Sequence, residues 1–129
     1  MKIGVAKEVE MGERRVALIP DTVSRLVKQG LEVWVEAGAG EQAFFADAAY
    51  EAAGATIITD TAHLWREADV LLKVSPPRER ADGQHETDLL HEGATLISFL
   101  DPLGNPGGIK RLADRKVTAF GIELIPRTS

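Results

Sequence analysis

The sequence contains no cysteine among its 129 residues. A chain without thiols forms no disulfide framework and performs no thiolate chemistry. It also has no apolar run long enough to span a bilayer and no signal-peptide core after Met1, so we expect no insertion of this chain into a membrane. The net charge of −5, without a basic stripe, argues against nucleic acid as a main partner.

Histidine is scarce, and this excludes further classes of site. The three histidines, His63, His85 and His91, lack the spacing of metal ligands, so we predict no metal site. No serine stands in a G-x-S-x-G elbow, so the nucleophile of an α/β hydrolase is missing. The hydrophobic content of 44% and the charged content of 27% are ordinary for a globular protein. The chain is therefore predicted to be one ordered domain with a buried core.

Apolar runs alternate with helical patterns along the chain. The predicted strands cover residues 2–6, 31–35, 55–58, 69–74, 94–100 and 117–120. The predicted helices begin near Asp21, Asp47, Asp60 and Pro106, with a single helical turn at residues 88–92 and a surface loop at residues 78–87. Repetition of strand and helix predicts an α/β fold, in which a mostly parallel sheet carries helices on both faces.

A glycine-rich stretch follows the second predicted strand. Residues 38–43 match the dinucleotide pattern G-x-G-x-x-G/A, and Asp60 lies about twenty residues farther on, where a ribose partner is expected. In a dinucleotide fingerprint the helix opens on the glycines, so that its free amides meet the pyrophosphate. Here two phenylalanines intervene and Asp47 is the expected N-cap. We therefore favour a glycine loop with close backbone packing over a nucleotide fingerprint.

Charged residues follow several of the predicted strands. In a parallel sheet the loops at the carboxyl ends of the strands face the ligand crevice. The candidates are Lys7, Glu8, Glu13, Arg14 and Arg15 after the first strand, Lys73 at the end of the fourth, Asp101 after the fifth, and Glu123 and Arg127 after the sixth. Their basic groups favour an anionic ligand or a nucleotide. Two alternatives stay open, namely that the first loop is a solvated charged loop and that Lys73 extends its head into water.

Five short blocks carry a family resemblance. They are residues 1–8, 13–20, 35–40, 72–74 and 125–129. In this order and spacing they resemble the N-terminal region of the alanine dehydrogenase and nicotinamide nucleotide transhydrogenase family, over essentially the whole chain. The resemblance implies a flavodoxin-like (Rossmann-like) parallel sheet. It also implies that residues 1–129 are an N-terminal domain, cut before a second domain that binds most of the NAD.

The resemblance also assigns site residues. Alanine dehydrogenases have an arginine in the first loop, a lysine after the fourth strand and a histidine after the fifth. The first two positions match Arg15 and Lys73, which are therefore expected in a substrate pocket, whereas Asp101 stands in place of the histidine. The block at residues 125–129 resembles transhydrogenase alpha subunits more closely, and there Arg127 is the expected contact to NAD(H). No residue of this chain is assigned a catalytic role.

The resemblance implies that the chain is part of the NAD(H)-binding component of a proton-translocating NAD(P) transhydrogenase, an enzyme expected to transfer hydride between NAD(H) and NADP(H). Such a component is expected to be a homodimer in the cytoplasm, peripheral to the inner membrane, with other transhydrogenase subunits or a membrane domain as partners. The alternatives are an alanine dehydrogenase-like amino-acid oxidoreductase and a non-catalytic structural or dimerisation fragment. Residues 1–129 alone are expected to be inactive.

Overall fold

The computed structural model describes residues 1–124, which form a six-stranded sheet with helices. The strands are β1 (Lys2–Val5), β2 (Glu32–Glu36), β3 (Thr56–Ile58), β4 (Val70–Leu72), β5 (Thr95–Ser98) and β6 (Thr118–Gly121). The α helices are α1 (Pro20–Lys28), α2 (Asp47–Ala52), α3 (Thr61–Glu67) and α4 (Pro106–Asp114). Short 3₁₀ turns lie at Glu41–Ala43, Glu86–Leu89 and Ile122–Leu124. All six predicted strands are confirmed.

The order of the strands identifies the type of sheet. Their order is β3-β2-β1-β4-β5-β6, and every pair of neighbours is parallel. This is the doubly wound Rossmann order, so the predicted α/β class is confirmed. The order reverses between β1 and β4, and ligands of such sheets bind outside the carboxyl ends of the strands at this switch point. The loops after β1 and β4 therefore border the expected ligand crevice.

Helices cover both faces of the sheet, as predicted. Successive side chains of a strand point to opposite faces, so neighbouring residues join different cores. In β2, Val33 and Val35 belong to one core and Trp34 packs against the other. The first core contains Val23 of α1 and Tyr50 of α2. The second contains buried residues of α3 and α4, namely Leu64, Trp65 and Leu112.

The ends of α1 and α4 follow from local sequence chemistry. Gly30 ends α1 with φ +91°, and the amide of Leu31 then donates to the carbonyl of Leu26 at 3.2 Å. The left-handed backbone conformation at this position costs little free energy in glycine, because glycine has no Cβ. At the start of α4 the side chain of Asn105 accepts a hydrogen bond from the amide of Gly108 at 3.2 Å. Both ends confirm the predicted caps.

Helix α2 begins where it was expected, but its N-cap is Ala46 and the prediction of Asp47 as N-cap was wrong. The Asp47 carboxylate instead accepts a hydrogen bond from the amide of Gly38 at 2.9 Å. An amide nine residues earlier in the chain has taken the place of the helix amides as its partner. The carboxylate thus ties the glycine loop to the start of α2.

The segment 78–87 is less exposed than predicted. Glu86 and Thr87 are fully buried, and the 3₁₀ turn Glu86–Leu89 stands in place of the helical turn predicted at residues 88–92. The polar composition of this stretch predicted a surface loop. Composition alone does not show that the carboxylate of Glu86 lies beside the buried ammonium of Lys73. Among residues 1–124 no helix has the length and apolar character needed to cross a membrane.

Candidate functional site

The loops after β1 and β4 are joined at the switch point by Glu8. Its carboxylate accepts hydrogen bonds from the ammonium of Lys73 at 2.9 Å, the amide of Val74 at 2.9 Å and the amide of Ser75 at 3.0 Å. The side chain of Lys73 is 1% exposed and that of Glu8 is 4% exposed. Burial of both charges requires this close pairing, because neither group retains the solvation that water would supply.

Lys73 has further partners on the side of the 3₁₀ turn Glu86–Leu89. Its ammonium donates to the carbonyl of Ser75 at 2.6 Å, and the Glu86 carboxylate lies 3.9 Å away. Burial raises the pKa of Glu86, while the charges of Lys73 and Arg80 and the Arg78 amide act in the opposite direction. The interpretation that Lys73 extends its head into water was therefore wrong.

Glu13 and Arg15 form a second pair in the loop after β1. The guanidinium of Arg15 donates to both oxygens of Glu13, at 3.0 and 2.9 Å, and the hydroxyl of Ser75 donates to the same carboxylate at 2.9 Å. Hydrogen bonds from Arg15, with a smaller contribution from Ser75, lower the pKa of Glu13 to about 2. The Arg15 side chain is 64% exposed, and its guanidinium lies 5.5 Å from the centre of the Phe99 ring. The loop is thus solvated only in part.

Arg15 and Lys73 line the same cavity, which has a volume of about 410 Å³. Its other walls come from the loop after β1, from the ends of β4 and β5 and from the segment after β6. They are Val16, Ala17, Leu18, Leu72, Val74, Ile97, Phe99 and Ile122. The cavity is therefore largely apolar, and the exposed guanidinium of Arg15 is better placed than the buried ammonium of Lys73 to meet an anion there.

Asp101 lies in a neighbouring groove and does not line the cavity of Arg15 and Lys73. The groove has a volume of about 630 Å³, and Phe99 forms part of the wall of both spaces. Asp101 adopts φ +46°, and its carboxylate accepts a hydrogen bond from the amide of Gly104 at 3.2 Å. Its own amide donates to the carboxylate of Glu123 at 3.2 Å. The structure thus places Asp101 in a different space from Arg15 and Lys73.

The remaining candidates also lie away from the cavity or outside the described residues. Lys7 donates its amide to the Glu36 carboxylate at 2.9 Å, and its ammonium lies beside Gly38. Glu123 caps the loop after β5 and accepts from the amide of Leu100 at 3.0 Å. Arg127, the expected contact to NAD(H), lies outside the described residues.

The glycine loop does not fit the pyrophosphate of a dinucleotide. The amide of Gly38 is taken by Asp47. A Cβ on Gly40 would lie 2.6 Å from Cε2 of Tyr50 and 2.7 Å from the carbonyl oxygen of Phe45, which confirms the predicted close packing. Asp60, which the pattern gives as the ribose partner, is also engaged, because it is the N-cap of α3 and accepts a hydrogen bond from the amide of His63 at 3.2 Å. Glu36, at the end of β2, accepts from the amide of Lys7 at 2.9 Å and from the hydroxyl of Thr61 at 2.6 Å. The hydrogen-bonding groups of these residues thus already have partners within the chain.

The sequence indicates some of the buried carboxylates but not all. Glu8 and Glu13 lie in the loop that follows β1, which the strand pattern identifies as part of the crevice. Glu86 lies in a polar stretch without periodicity, and no local signal marks it as the neighbour of Lys73. Among residues 1–124 there is no cluster of three histidine, cysteine, aspartate or glutamate side chains that could hold a metal ion.

Comparison with known proteins identifies the family to which this sequence and structure are similar. Residues 4–129 match the family described as alanine dehydrogenase/PNT, N-terminal domain. The chain is 45% identical over 129 residues to the first part of the NAD(P) transhydrogenase alpha subunit of Rhodospirillum rubrum, covering 100% of this chain and 34% of that protein. It is 41% identical over 125 residues to the alanine dehydrogenase of Halomonas elongata, covering 97% of this chain and 32% of that protein.

A solved structure gives the same result in three dimensions. The transhydrogenase from Sinorhizobium meliloti superposes with a TM-score of 0.87 at 38% identity, covering 100% of this chain and 37% of that one. The chain thus spans about a third of the length of these three relatives.

Proposed function

The chain belongs to the family of alanine dehydrogenase/PNT N-terminal domains, and from this premise we propose that it is part of the NAD(H)-binding component of a proton-translocating NAD(P) transhydrogenase. In this proposal a longer protein transfers hydride between NAD(H) and NADP(H), and residues 1–129 form its N-terminal domain. A following domain binds most of the NAD. The component is a homodimer in the cytoplasm, peripheral to the inner membrane, and works with other transhydrogenase subunits or a membrane domain.

The position of Asp101 is the observation that carries this choice within the family. The resemblance to alanine dehydrogenases calls for a histidine after β5, and the sequence contains no histidine after His91. An imidazole titrates near neutral pH and transfers protons there, whereas an ordinary carboxylate remains ionised. Asp101 also lines the neighbouring groove and not the cavity of Arg15 and Lys73. This chain therefore lacks a histidine at the position where the resemblance places the proton-transferring group of an amino-acid dehydrogenase.

Arg15 and Lys73 receive different roles in this proposal. Lys73 is neutralised by Glu8 and approached by Glu86, so it shapes the wall of the cavity and supports the loop after β1. Arg15 is largely exposed and is bound to Glu13 from its own loop, so it is the group that meets an anionic part of a ligand. We further propose Arg127 as a contact to NAD(H), in agreement with the family resemblance of residues 125–129.

One observation favours the second candidate, an alanine dehydrogenase-like oxidoreductase. Arg15 and Lys73 line a single cavity, as a pocket for a small carboxylate substrate would require. Two assays on the longer protein separate the candidates. One measures hydride transfer from NADH to an NADP⁺ analogue in the presence of the NADP(H)-binding partner, and the other measures NADH oxidation with pyruvate and ammonium.

We expect turnover in the first assay and none in the second. The variant Asp101→His tests the observation itself, because it restores the histidine that the resemblance calls for; amination of pyruvate by this variant and not by the unmodified protein would show that residue 101 separates the two candidates. Amination of pyruvate by the unmodified protein, without hydride transfer to the NADP⁺ analogue, would replace the proposal with the second candidate.

A further inference from the structure

The Glu8 carboxylate is held in the way that proteins hold a bound anion. Its three donors are the ammonium of Lys73 and the consecutive amides of Val74 and Ser75, at 2.9, 2.9 and 3.0 Å. Consecutive amides beside a cation are a common arrangement for anion binding, because their dipoles converge on one point. All three donors come from one short segment, and Glu8 lies 65 residues from Lys73 in the sequence.

The site lies where the topology of the sheet places a ligand. The donors follow β4 directly, and β4 borders the reversal of strand order. In Rossmann-type sheets this crevice accepts the ligand. Here a side chain of the preceding loop reaches into it, although the neighbours of Glu8 on either side, Lys7 and Val9, are exposed. The carboxylate is thus inserted from a loop whose adjacent residues face solvent.

We propose that Lys73, Val74 and Ser75 form a carboxylate-binding site that Glu8 occupies as an internal ligand. While Glu8 is present, its carboxylate occupies these three donors. When the Glu8 side chain is removed, a small free monocarboxylate such as acetate takes its place. The inference uses only the geometry of this chain, and it holds or fails independently of the proposed transhydrogenase function.

The surrounding charges specify the class of anion. Glu86 lies 3.9 Å from the ammonium of Lys73, and Glu13 accepts a hydrogen bond from the hydroxyl of Ser75. Two further carboxylates near the site repel a second negative charge on a ligand. A planar monoanion reproduces the charge and the acceptor geometry of Glu8, whereas a phosphate dianion does not. We therefore expect acetate and formate to bind in preference to phosphate.

The test uses the variant Glu8→Ala and its thermal unfolding with acetate, phosphate or chloride at equal ionic strength. Acetate should raise the midpoint of the variant by about 4 °C at ten times its dissociation constant, relative to chloride. The midpoint of the unmodified chain should not respond to acetate. Isothermal titration of the variant with acetate should show saturable binding, and the second change Lys73→Met should abolish it.

Two variants serve as matched controls. Glu36→Ala removes another buried carboxylate, whose donors among residues 1–124 are neutral, namely the amide of Lys7 and the hydroxyl of Thr61. Glu8→Gln keeps the volume of the side chain and leaves no space for an added anion. Neither variant should be stabilised by acetate beyond the effect of chloride.

Some outcomes would overturn the proposal. A folded Glu8→Ala variant without a specific response to acetate would mean that the carboxylate is only a structural ion-pair partner. If the Glu8→Ala variant does not fold in chloride, its refolding yield in acetate is compared with its yield in chloride. The proposal requires a higher yield in acetate, because the free carboxylate should take the place of Glu8 and restore folding. Equal yields in both salts, or equal rescue of Glu36→Ala, would likewise reject it.

Discussion

The ammonium of Lys73 lies 2.9 Å from the carboxylate of Glu8, and both side chains are almost completely buried. This pair connects the loops after β1 and β4 at the point where the strand order reverses. A Rossmann-type sheet ordinarily receives its ligand there. In this chain the charges are matched internally, and the neighbouring cavity presents the exposed Arg15 to a ligand.

The first prediction concerns the ion pair itself. Lys73→Met should lower the free energy of unfolding by about 3–5 kcal/mol, because it leaves the Glu8 carboxylate buried without its cation. The double variant Glu8→Gln/Lys73→Met should recover part of this loss, since it removes both charges. Urea denaturation measures these differences.

The same change at an exposed site provides the control. Lys110 pairs with Asp114 on the surface of α4. Lys110→Met should leave the urea midpoint unchanged, because both partners remain solvated. If Lys110→Met lowered the free energy of unfolding as much as Lys73→Met does, burial of the ion pair would not explain the effect at Lys73.

The second prediction concerns pH and the pair of Glu13 and Arg15. The pKa of Glu13 is lowered to about 2 by hydrogen bonds from Arg15 and Ser75, from an ordinary value of 4.5. A carboxyl group whose pKa is lowered by folding stabilises the protein above its unfolded pKa. That contribution is lost as the pH falls through the pKa of the folded state.

Glu13→Gln should therefore be less stable than the unmodified chain at pH 7, and this difference should shrink as the pH falls from about 4.5 towards 2. Urea midpoints measured at pH 7, 5 and 3 provide the test, with Glu51→Gln at an exposed position of α2 as the control. A difference between Glu13→Gln and the unmodified chain that is constant over this range would show that the hydrogen bonds do not act through the ionised carboxylate.

The third prediction concerns the glycine loop. Gly40 has an ordinary negative φ of −94°, so an alanine is prevented there only by lack of space beside Tyr50 and Phe45. Gly40→Ala should lower stability by about 1–3 kcal/mol. By contrast, Gly107 lies in α4 with open space around it, so Gly107→Ala should raise stability by about 0.5–1 kcal/mol. Thermal denaturation compares the two, and equal effects would show that packing does not distinguish these glycines.

The fourth prediction concerns the chain of residues 1–129 by itself. We expect it to bind NADH more weakly than millimolar and to transfer no hydride. The amide of Gly38 is taken by Asp47, and Glu8 fills the donors at the switch point. Because neither of these two places offers a free set of amides to the pyrophosphate, the cofactor lacks its main anchor there. Hydride transfer also requires close positioning of the nicotinamide.

Titration calorimetry with NADH, together with an assay of hydride transfer to an NADP⁺ analogue, checks this expectation. Micromolar affinity or measurable turnover would show that residues 38–40 form a working phosphate loop. If the longer protein also fails to bind NADH, the non-catalytic structural or dimerisation fragment becomes the better description.

The sequence by itself determined the elements of this fold. Six apolar runs predict the six strands, and their alternation with helical patterns predicts the parallel arrangement. The caps at Gly30 and Asn105 were also predictable, because the partners of a capping residue lie within a few positions along the chain. The start of α2 was also predicted at the right residue, but the capping role given to Asp47 was wrong, because its carboxylate accepts from the amide of Gly38.

Only the tertiary structure decided which of the charged residues meet. It placed Arg15 and Lys73 at one cavity and Asp101 at another, and it brought Glu86 to the ammonium of Lys73. A buried carboxylate and a solvated one have the same side chain, so composition and periodicity cannot distinguish them. The difference arises from partners distant in the sequence, which compensate the loss of water only when the strands have assembled in their final order.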